Sequence, residues 1–289
     1  MPYSLPSSIE SGTDKTQLVL RHWPLADSAQ PAGVAVIVHG LGEHSGRYNH
    51  VAAHLNRWGW SVVSYDHRGH GRSGGGRGLL PTDSAFLSDL GQVLTEVRRT
   101  YPTQKLLLIG HSMGGLIAAR YVSEALSPTP NADWAQPVDA LVLSSPALDL
   151  GLNGFQKALL GSVGKLAPTL AVSNGLKPEW VCRDPNVVKA YVNDPLVHDR
   201  ACGRLVNFML AGGSHVMAQA PRWQVPTLLI YGGADRCVNP AGSARFAQLA
   251  PSNQVRSKAY AHMAHEIFNE PDQSLVFDDL KQWLDTLSL

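Results

Sequence analysis

The sequence predicts an α/β fold, with helices on both faces of a mostly parallel central sheet. Short runs rich in Val, Ile and Leu recur along the chain, and apolar residues do not alternate with polar ones within them. Such runs are typical of strands that are buried on both faces. Segments compatible with helices, such as 86–99 and 116–125, lie between them, so parallel strands joined by crossover helices are indicated. The predicted strands are 34–38, 60–65, 105–109, 140–143 and 227–231.

Composition and charge indicate an ordered globular protein. The chain has 289 residues, of which 44% are hydrophobic and 16% are charged, so it can bury a core without disulfides. Its 24 basic and 23 acidic residues give a formal net charge of +1. A chain with so little net charge has no global field to attract nucleic acid, and we predict no nucleic-acid partner.

The cysteines and the N-terminus favour a cytoplasmic location. Cys182, Cys202 and Cys237 are odd in number and form no Cys-x-x-Cys pair, which argues against a disulfide framework or a thiolate zinc site. The N-terminus has neither the basic nor the apolar segment of a secretion signal. Polar residues interrupt the longest apolar stretch, 150–172, so no transmembrane segment is predicted. Peripheral association with a membrane is compatible with these features.

An insertion is predicted between the strands that end near residue 143 and begin near 227, because a crossover needs only about a dozen residues. Apolar side chains recur within it at steps of three and four and form one helical stripe: Phe155, Leu159, Val163, Leu166 and Leu170. We interpret this stripe as part of a cap over the sheet, and a core-packing helix is the alternative. The predicted units are a first core part at 1–146, a cap at 147–215 and a second core part at 216–289.

Ser112 is the predicted nucleophile. It lies in GHSMG at 110–114, which fits the G-x-S-x-G turn that exposes a serine between a strand and a helix. A second match, GRSGG at 71–75, places Ser73 in a glycine-rich stretch ahead of Pro81. Because only Ser112 follows a predicted strand and precedes a predicted helix, we assign the nucleophile to Ser112.

The same glycine-rich stretch also matches a dinucleotide-binding pattern. The sequence GHGRSG at 69–74 fits G-x-G-x-x-G and follows the strand that ends near Asp66. A pyrophosphate site needs this run to open a helix, and the glycines and proline that follow, Gly75, Gly76, Gly78 and Pro81, disfavour one. We therefore predict no cofactor there.

His265 is the predicted general base. A serine hydroxyl needs an imidazole to accept its proton, and in this arrangement the chain order is serine, acid, histidine. Only His262 and His265 follow the last predicted strand, 254–260. His265 is favoured because it opens HEIFNE, just before the terminal helix predicted from Pro271, and His262 remains the alternative.

Asp235 is the predicted acid that orients the imidazole. It follows the strand 227–231 in GGAD, where a turn would direct its carboxylate across the carboxyl ends of the strands. Asp149, which follows the preceding strand, is the alternative.

The loop HGLG at 39–42, directly after the first predicted strand, is a candidate oxyanion loop. The backbone N–H of Leu41 would be one donor, and that of Met113, the residue after the nucleophile, would be the second. Each donor on a developing oxyanion supplies about 3 kcal/mol. A plain strand-to-helix connection is the alternative interpretation of this loop.

Six histidines are crowded into the stretch 39–70: His39, His44, His50, His54, His67 and His70. Their spacing forms no recognised ligand set, and the pair at 50 and 54 lacks the glutamate of H-E-x-x-H. We therefore predict no metal site.

Together these segments resemble the monoacylglycerol lipase family of serine hydrolases, also called the serine aminopeptidase or lysophospholipase-like group. The resemblance spans nearly the whole chain, and the first of its segments is long and distinctive. It is carried by HGLGEHSGRY at 39–48, DHRGHGRS at 66–73, GHSMGG at 110–115, DPLV at 194–197, GADR at 233–236 and HE at 265–266.

The resemblance implies an α/β-hydrolase fold with an inserted cap, and it favours Leu41 and Met113 as oxyanion donors and Asp235 over Asp149. It also implies that Glu43 and Arg47 lie near the polar glycerol end of the substrate. The cap would supply an apolar tunnel for a single acyl chain, formed here by the predicted stripe with Phe155, Leu159 and Val163.

We therefore predict a hydrolase that cleaves a single-acyl ester, first of all monoacylglycerol, through an acyl-enzyme on Ser112 and without a cofactor. A lysophospholipase or a general carboxylesterase is the alternative within this class. A non-catalytic protein that binds a small apolar ligand is the alternative from another class.

Overall fold

The computed structural model describes residues 4–25, 31–126, 132–152 and 168–287. Within them, eight strands form one sheet in the order β1-β2-β4-β3-β5-β6-β9-β10. These strands are β1 (Ser8–Glu10), β2 (Gln17–Trp23), β3 (Gly33–Val38), β4 (Trp60–Tyr65), β5 (Lys105–His111), β6 (Ala140–Ser144), β9 (Thr227–Gly232) and β10 (Val255–Tyr260). A small antiparallel pair is formed by β7 (Ala171–Ser173) and β8 (Arg200–Cys202).

The helices in the described residues are α1 (Asn49–Arg57), α2 (Ala85–Thr100), α3 (Met113–Glu124), α4 (Pro185–Asn193), α5 (Gly203–Gln219), α6 (Pro240–Leu249) and α7 (Gln273–Thr286). Single turns of 3₁₀ helix lie at Ser45–Tyr48, Pro178–Trp180, Ala220–Arg222 and Ile267–Asn269. None of the described helices combines the length and the apolar content needed to cross a bilayer.

The strands that lie between β4 and β10 in this sheet order are parallel, as predicted, so their carboxyl ends meet at one edge of the sheet. Gly110 of β5 pairs with Val38 of β3, and His111 pairs with Ser144 of β6. The loops that follow β3, β5 and β6 therefore begin next to one another. Two strands that the sequence did not predict, β1 and β2, extend the sheet in antiparallel fashion.

The core consists of two apolar layers, one on each face of the sheet. Alternate residues of β3 point to opposite layers, so that Val36 packs with α2, α3 and α5 while Ile37 packs with α1 and α7. Burying such an aliphatic side chain contributes about 1.5–3 kcal/mol. The two layers explain why β3 to β6 are apolar without alternation, and they confirm the predicted fold class.

Residues 145–226 separate β6 from β9, where the insertion is predicted. Within the described part of this segment, α5 packs against α3, where Gly212 lies next to Leu116, and against α2, where Phe208 contacts Phe86. The predicted cap boundary at 215 falls within α5. The division into units therefore stays a prediction. Of the predicted apolar stripe, Leu170 is 61% exposed, and Phe155, Leu159, Val163 and Leu166 lie outside the described residues.

Candidate active site

Ser112 lies at the sharp turn between β5 and α3, with φ 54° and ψ −121°. This backbone conformation is rare for a residue with a side chain and is typical of a functional turn. The turn is fixed by its backbone, because Ser112 N–H donates to the Ser144 carbonyl at 3.0 Å and its own carbonyl accepts from Ala147 N–H at 2.9 Å. Gly114 is required, since a Cβ there would clash with the carbonyl oxygens of Val38 and His39.

His265 and Asp235 form a buried hydrogen-bonded pair. His265 Nδ1 donates to Asp235 Oδ2 at 2.6 Å, and the two side chains are 7% and 1% exposed. The other carboxylate oxygen of Asp235 accepts from the N–H groups of Cys237 and Val238. This pairing leaves Nε2 of His265 as the nitrogen available for another proton.

The alternative residues for the base, the acid and the nucleophile lie in other surroundings. His262 is exposed to solvent. The Asp149 carboxylate accepts from Asn239 Nδ2 and from Gly151 N–H, so it joins two neighbouring loops. Ser73 is also part of a loop, because its hydroxyl donates to the Asp66 carbonyl and accepts from Val19 N–H. The run 69–74 forms turns, with its first N–H bonded to its last carbonyl.

A cavity of about 300 Å³ brings the predicted nucleophile and base together. Its wall includes Leu41, Ser112, Tyr191, Cys237 and His265. Asp235 lies behind His265, to which it is bonded, and does not line the wall. Apolar lining side chains come from the insertion, among them Leu176, Pro178, Val181, Val192 and Val197.

The loop after β3 presents Leu41 to this cavity. His198 N–H donates to the Gly42 carbonyl at 2.8 Å, and Gly40 N–H donates to Glu43 Oε1 at 2.6 Å. Neither Leu41 N–H nor Met113 N–H has a hydrogen-bond partner among the residues that the structure describes. An oxyanion hole needs such free donors next to the nucleophile, and the assignment of Leu41 and Met113 to one stays a prediction.

The charges around the cavity favour protonation of His265. Burial lowers the pKa of His265, but the carboxylates of Asp235, Glu266 and Glu43 outweigh it and raise that pKa above its ordinary value. His111 lies beside it, with the two ring centres 4.7 Å apart. Burial and the neighbouring His265 lower the pKa of His111 to about 4, so His111 is neutral at neutral pH.

The match to a known family decides what kind of protein this is. Residues 29–272 match the family described as Serine aminopeptidase, S33. The chain belongs to this family.

Individual relatives of this S33 family member agree with that assignment. The chain is 36% identical over 277 residues to a monoacylglycerol lipase of Mycolicibacterium smegmatis, with 95% of each chain covered. Its structure is similar to that of a monoacylglycerol lipase from Paleococcus ferrophilus, with a TM-score of 0.80, 32% identity and coverage of 92% and 98% of the two chains. The resemblance inferred from the sequence motifs is thereby confirmed.

A third comparison concerns the fold alone. A soluble variant of monoglyceride lipase from Saccharomyces cerevisiae has a TM-score of 0.82 at 22% identity, with 98% and 97% of the chains covered. The α/β-hydrolase fold predicted for this S33 family member is therefore confirmed.

Glu43 and Arg47, which were predicted to contact the substrate, form hydrogen bonds with each other and with neighbouring protein groups in this S33 family member. Arg47 donates to Glu43 at 2.8 Å and to both carboxylate oxygens of Glu266 at 2.6 and 2.7 Å. Burial raises the pKa of Glu43, but Arg47 outweighs it and holds that pKa at about 2. Glu43 and Glu266 line the cavity and Arg47 lies behind them, so substrate contact by Glu43 or Arg47 stays a prediction.

Two of the six histidines, His39 and His67, join the loops behind the site by hydrogen bonds. His39 Nε2 accepts from His67 N–H, and His67 Nε2 donates to the His39 carbonyl, both at 3.0 Å. In the described ranges the potential ligand atoms that cluster within 4.8 Å belong to Asp235, Cys237 and His265. Because Asp235 and His265 are bonded to each other, we assign no metal to this cluster.

Three residues that line the cavity were not predicted from the sequence to have a function: Tyr191, Cys237 and Glu266. Of the three, only Glu266 could have been recognised from the sequence, because it directly follows the predicted base in the motif HE at 265–266. The other two come from α4 and from the loop after β9, and their approach to Ser112 depends on tertiary packing.

Proposed function

We propose that this serine ester hydrolase cleaves single-acyl carboxylic esters, with monoacylglycerol as substrate and glycerol and a fatty acid as products. The name of the Mycolicibacterium smegmatis relative supports this substrate class. The observation that carries the proposal is the 2.6 Å hydrogen bond between His265 Nδ1 and Asp235 Oδ2, beside a cavity that Ser112 also lines.

In the proposed reaction, Ser112 Oγ attacks the ester carbonyl while His265 Nε2 accepts its proton. Asp235 holds the imidazole in the required tautomer and stabilises the imidazolium. The N–H groups of Leu41 and Met113 bind the oxyanion. His265 then gives its proton to the departing glycerol oxygen, and an acyl-enzyme remains on Ser112. Water, with its proton accepted by His265, cleaves the acyl-enzyme and releases the fatty acid.

The form of the cavity supports a substrate with one acyl chain. Ligand sites in proteins have volumes of about 300–1,000 Å³, and this cavity, at about 300 Å³, is at the lower limit. Its apolar wall at Leu176, Val181 and Val197 suits an alkyl chain, whereas Ser112 and His265 supply polar groups.

Labelling by a fluorophosphonate probe, combined with hydrolysis rates, tests the proposal. We expect Ser112→Ala to abolish labelling and to reduce kcat by at least about 1,000-fold. Ser73→Ala, the matched control in the second G-x-S-x-G sequence, should label as the wild type does. Labelling that survives in Ser112→Ala would refute the nucleophile, and absence of turnover in the wild type would favour a binding protein.

The substrate is tested on monoacylglycerol, lysophospholipid and short nitrophenyl esters. We expect kcat/KM to be highest for monoacylglycerol. A higher value for lysophospholipid, or for the nitrophenyl ester, would identify the lysophospholipase or the general carboxylesterase instead.

We also propose a cytoplasmic location with transient contact of the insertion with lipid surfaces. The three cysteines are free, which supports a reducing compartment. Leu170, Val172 and Val192 are more than half exposed, and Val192 borders the cavity. Sedimentation with neutral lipid vesicles should decrease in Leu170→Asp/Val192→Asp relative to the wild type, and equal sedimentation would refute the lipid contact. Cell fractionation tests the location.

A further inference from the structure

A bridge of three charged side chains joins the two loops that flank the cavity. Glu43 follows the oxyanion loop and accepts from Gly40 N–H at 2.6 Å, next to Leu41. Glu266 directly follows His265. Arg47 donates to both carboxylates, through one bond of 2.8 Å to Glu43 and two bonds of 2.6 and 2.7 Å to Glu266.

The bridge is further fixed at both ends. Tyr48 Oη donates to Glu43 Oε1 at 2.6 Å, and at the other end Asn269 Nδ2 donates to Glu266 Oε2 at 2.8 Å. The Glu43, Arg47 and Glu266 side chains are only 5%, 12% and 6% exposed. All three members of the bridge are therefore held in place with little access to solvent.

The bridge carries one excess negative charge, because two carboxylates share a single guanidinium. Removal of one member from such a buried set leaves a charge without its partner. Solvent screens these charges little, so they act on groups within the same cavity wall. His265 is the group in this wall that gains a positive charge during the proposed reaction.

We propose that Glu266 and Arg47 are positioning residues that hold the His265 loop against the candidate oxyanion loop, while the excess negative charge of the whole bridge stabilises the protonated imidazole. This inference rests on the proposed function of His265 as the base. It assigns Arg47 to the alignment of the reacting groups, in place of the substrate contact that the sequence resemblance implied.

The groups that face His265 come from several elements: Asp235 and Cys237 from the loop after β9, Glu43 from the loop after β3, and His111 from the end of β5, besides Glu266 next to it in the chain. Arg47 lies behind Glu43 and Glu266, to which it is bonded. Glu266 and Glu43 are both among the carboxylates that raise the pKa of His265, after Asp235. A change of charge in the bridge should therefore move the acid limb of the pH profile.

The test measures the pH dependence of kcat/KM and of fluorophosphonate labelling for variants of the full chain. Glu266→Gln removes one negative charge, so the acid limb should move down by about one pH unit. Arg47→Met leaves two carboxylates without their cation, so the limb should move up. In both variants kcat at the plateau should fall about tenfold or more because the bridge is broken.

The double variant Glu266→Gln/Arg47→Met separates charge from position. It restores one net negative charge without the bridge, so its acid limb should return towards that of the wild type while its kcat stays low. If circular dichroism shows that Arg47→Met does not fold, Arg47→Lys replaces it as the test variant. Lysine keeps the charge but lacks the planar fork, so we expect an unchanged limb, a reduced kcat and a nearly unchanged KM.

Glu270→Gln is the matched control. Glu270 is a buried glutamate on the same loop, but it pairs with Arg183 instead of Arg47. The acid limb of the pH profile of Glu270→Gln should coincide with that of the wild type. The inference is overturned if Glu266→Gln and Arg47→Met shift the limb in the same direction, or no further than Glu270→Gln does. A wild type that neither reacts with the probe nor turns over ester would instead refute the proposed function.

Discussion

His44 Nε2 donates a hydrogen bond of 2.9 Å to Asp194 Oδ2, which joins the loop after β3 to the end of α4 in the insertion. The other ring nitrogen of His44 accepts from Gly46 N–H, so both nitrogens are used. The bond from His198 N–H to the Gly42 carbonyl is a second link between the same two segments. The insertion is therefore fixed to the same loop that presents Leu41 to the cavity.

Asp194→Ala should release this contact and reduce kcat/KM about tenfold, because both the candidate oxyanion loop and the cavity wall lose a support. Since Asp194 is partly exposed, the free energy of unfolding should fall by only about 1 kcal/mol. Asp184→Ala is the control, because it removes the N-cap of α4 at a similar cost of about 1 kcal/mol and leaves the His44 contact intact. Equal losses of activity in the two variants, measured at matched temperature, would contradict this prediction.

Gly114→Ala should destabilise the protein by more than about 2 kcal/mol, because the added Cβ clashes with rigid carbonyl oxygens of the chain at the end of β3, which cannot move aside. Gly212→Ala is a matched helical control. Its Cβ would lie 3.4 Å from Leu116 Cδ1, an ordinary contact, so its effect should stay within about 1 kcal/mol. Chemical denaturation of both variants measures the difference, and equal midpoints would show that the turn tolerates a Cβ.

The sequence predicted those strands that are apolar on both faces. The strand 60–65 was predicted with the bounds that the structure has, because each of its residues is buried. The strand β2 was missed because most of its residues are half-buried or exposed and polar ones are mixed in. Its place in the sheet depends on antiparallel pairing with β4, which no local pattern encodes.

For the candidate site, the sequence supplied residue types and order but not contacts. Ser112 could be distinguished from Ser73 because a strand and a helix flank it. His262 and His265 are only three residues apart, and packing, which buries one and exposes the other, distinguishes them. The contact between Arg47 and Glu266 joins residues 219 positions apart, so it could not be found without the fold.

Ser112→Gly should be more stable than Ser112→Ala, although both variants lack the hydroxyl and should be inactive. At φ 54° and ψ −121° an alanine keeps the strain of the side chain, whereas glycine adopts this region without strain. We expect a difference of about 1–2 kcal/mol, reduced in part by the greater entropy of glycine in the unfolded chain. Thermal denaturation of the two proteins measures it. An alanine variant as stable as the glycine variant would show that the turn is not strained.

The free energy of unfolding should decrease as the pH falls from about 7.5 to about 5.5. Burial lowers the pKa values of His39, His67 and His70 in the folded protein, whereas in the unfolded chain they return to about 6.5. Below that pH the unfolded state binds more protons than the folded state. Each of these histidines therefore lowers the free energy of unfolding by up to about 1.4 kcal/mol per pH unit. His265, whose pKa is raised, changes the free energy of unfolding in the opposite sense and offsets the contribution of only one of these three histidines. Denaturant titrations across this range test the dependence, and a free energy of unfolding that stays constant throughout would mean that the buried imidazoles accept protons without unfolding.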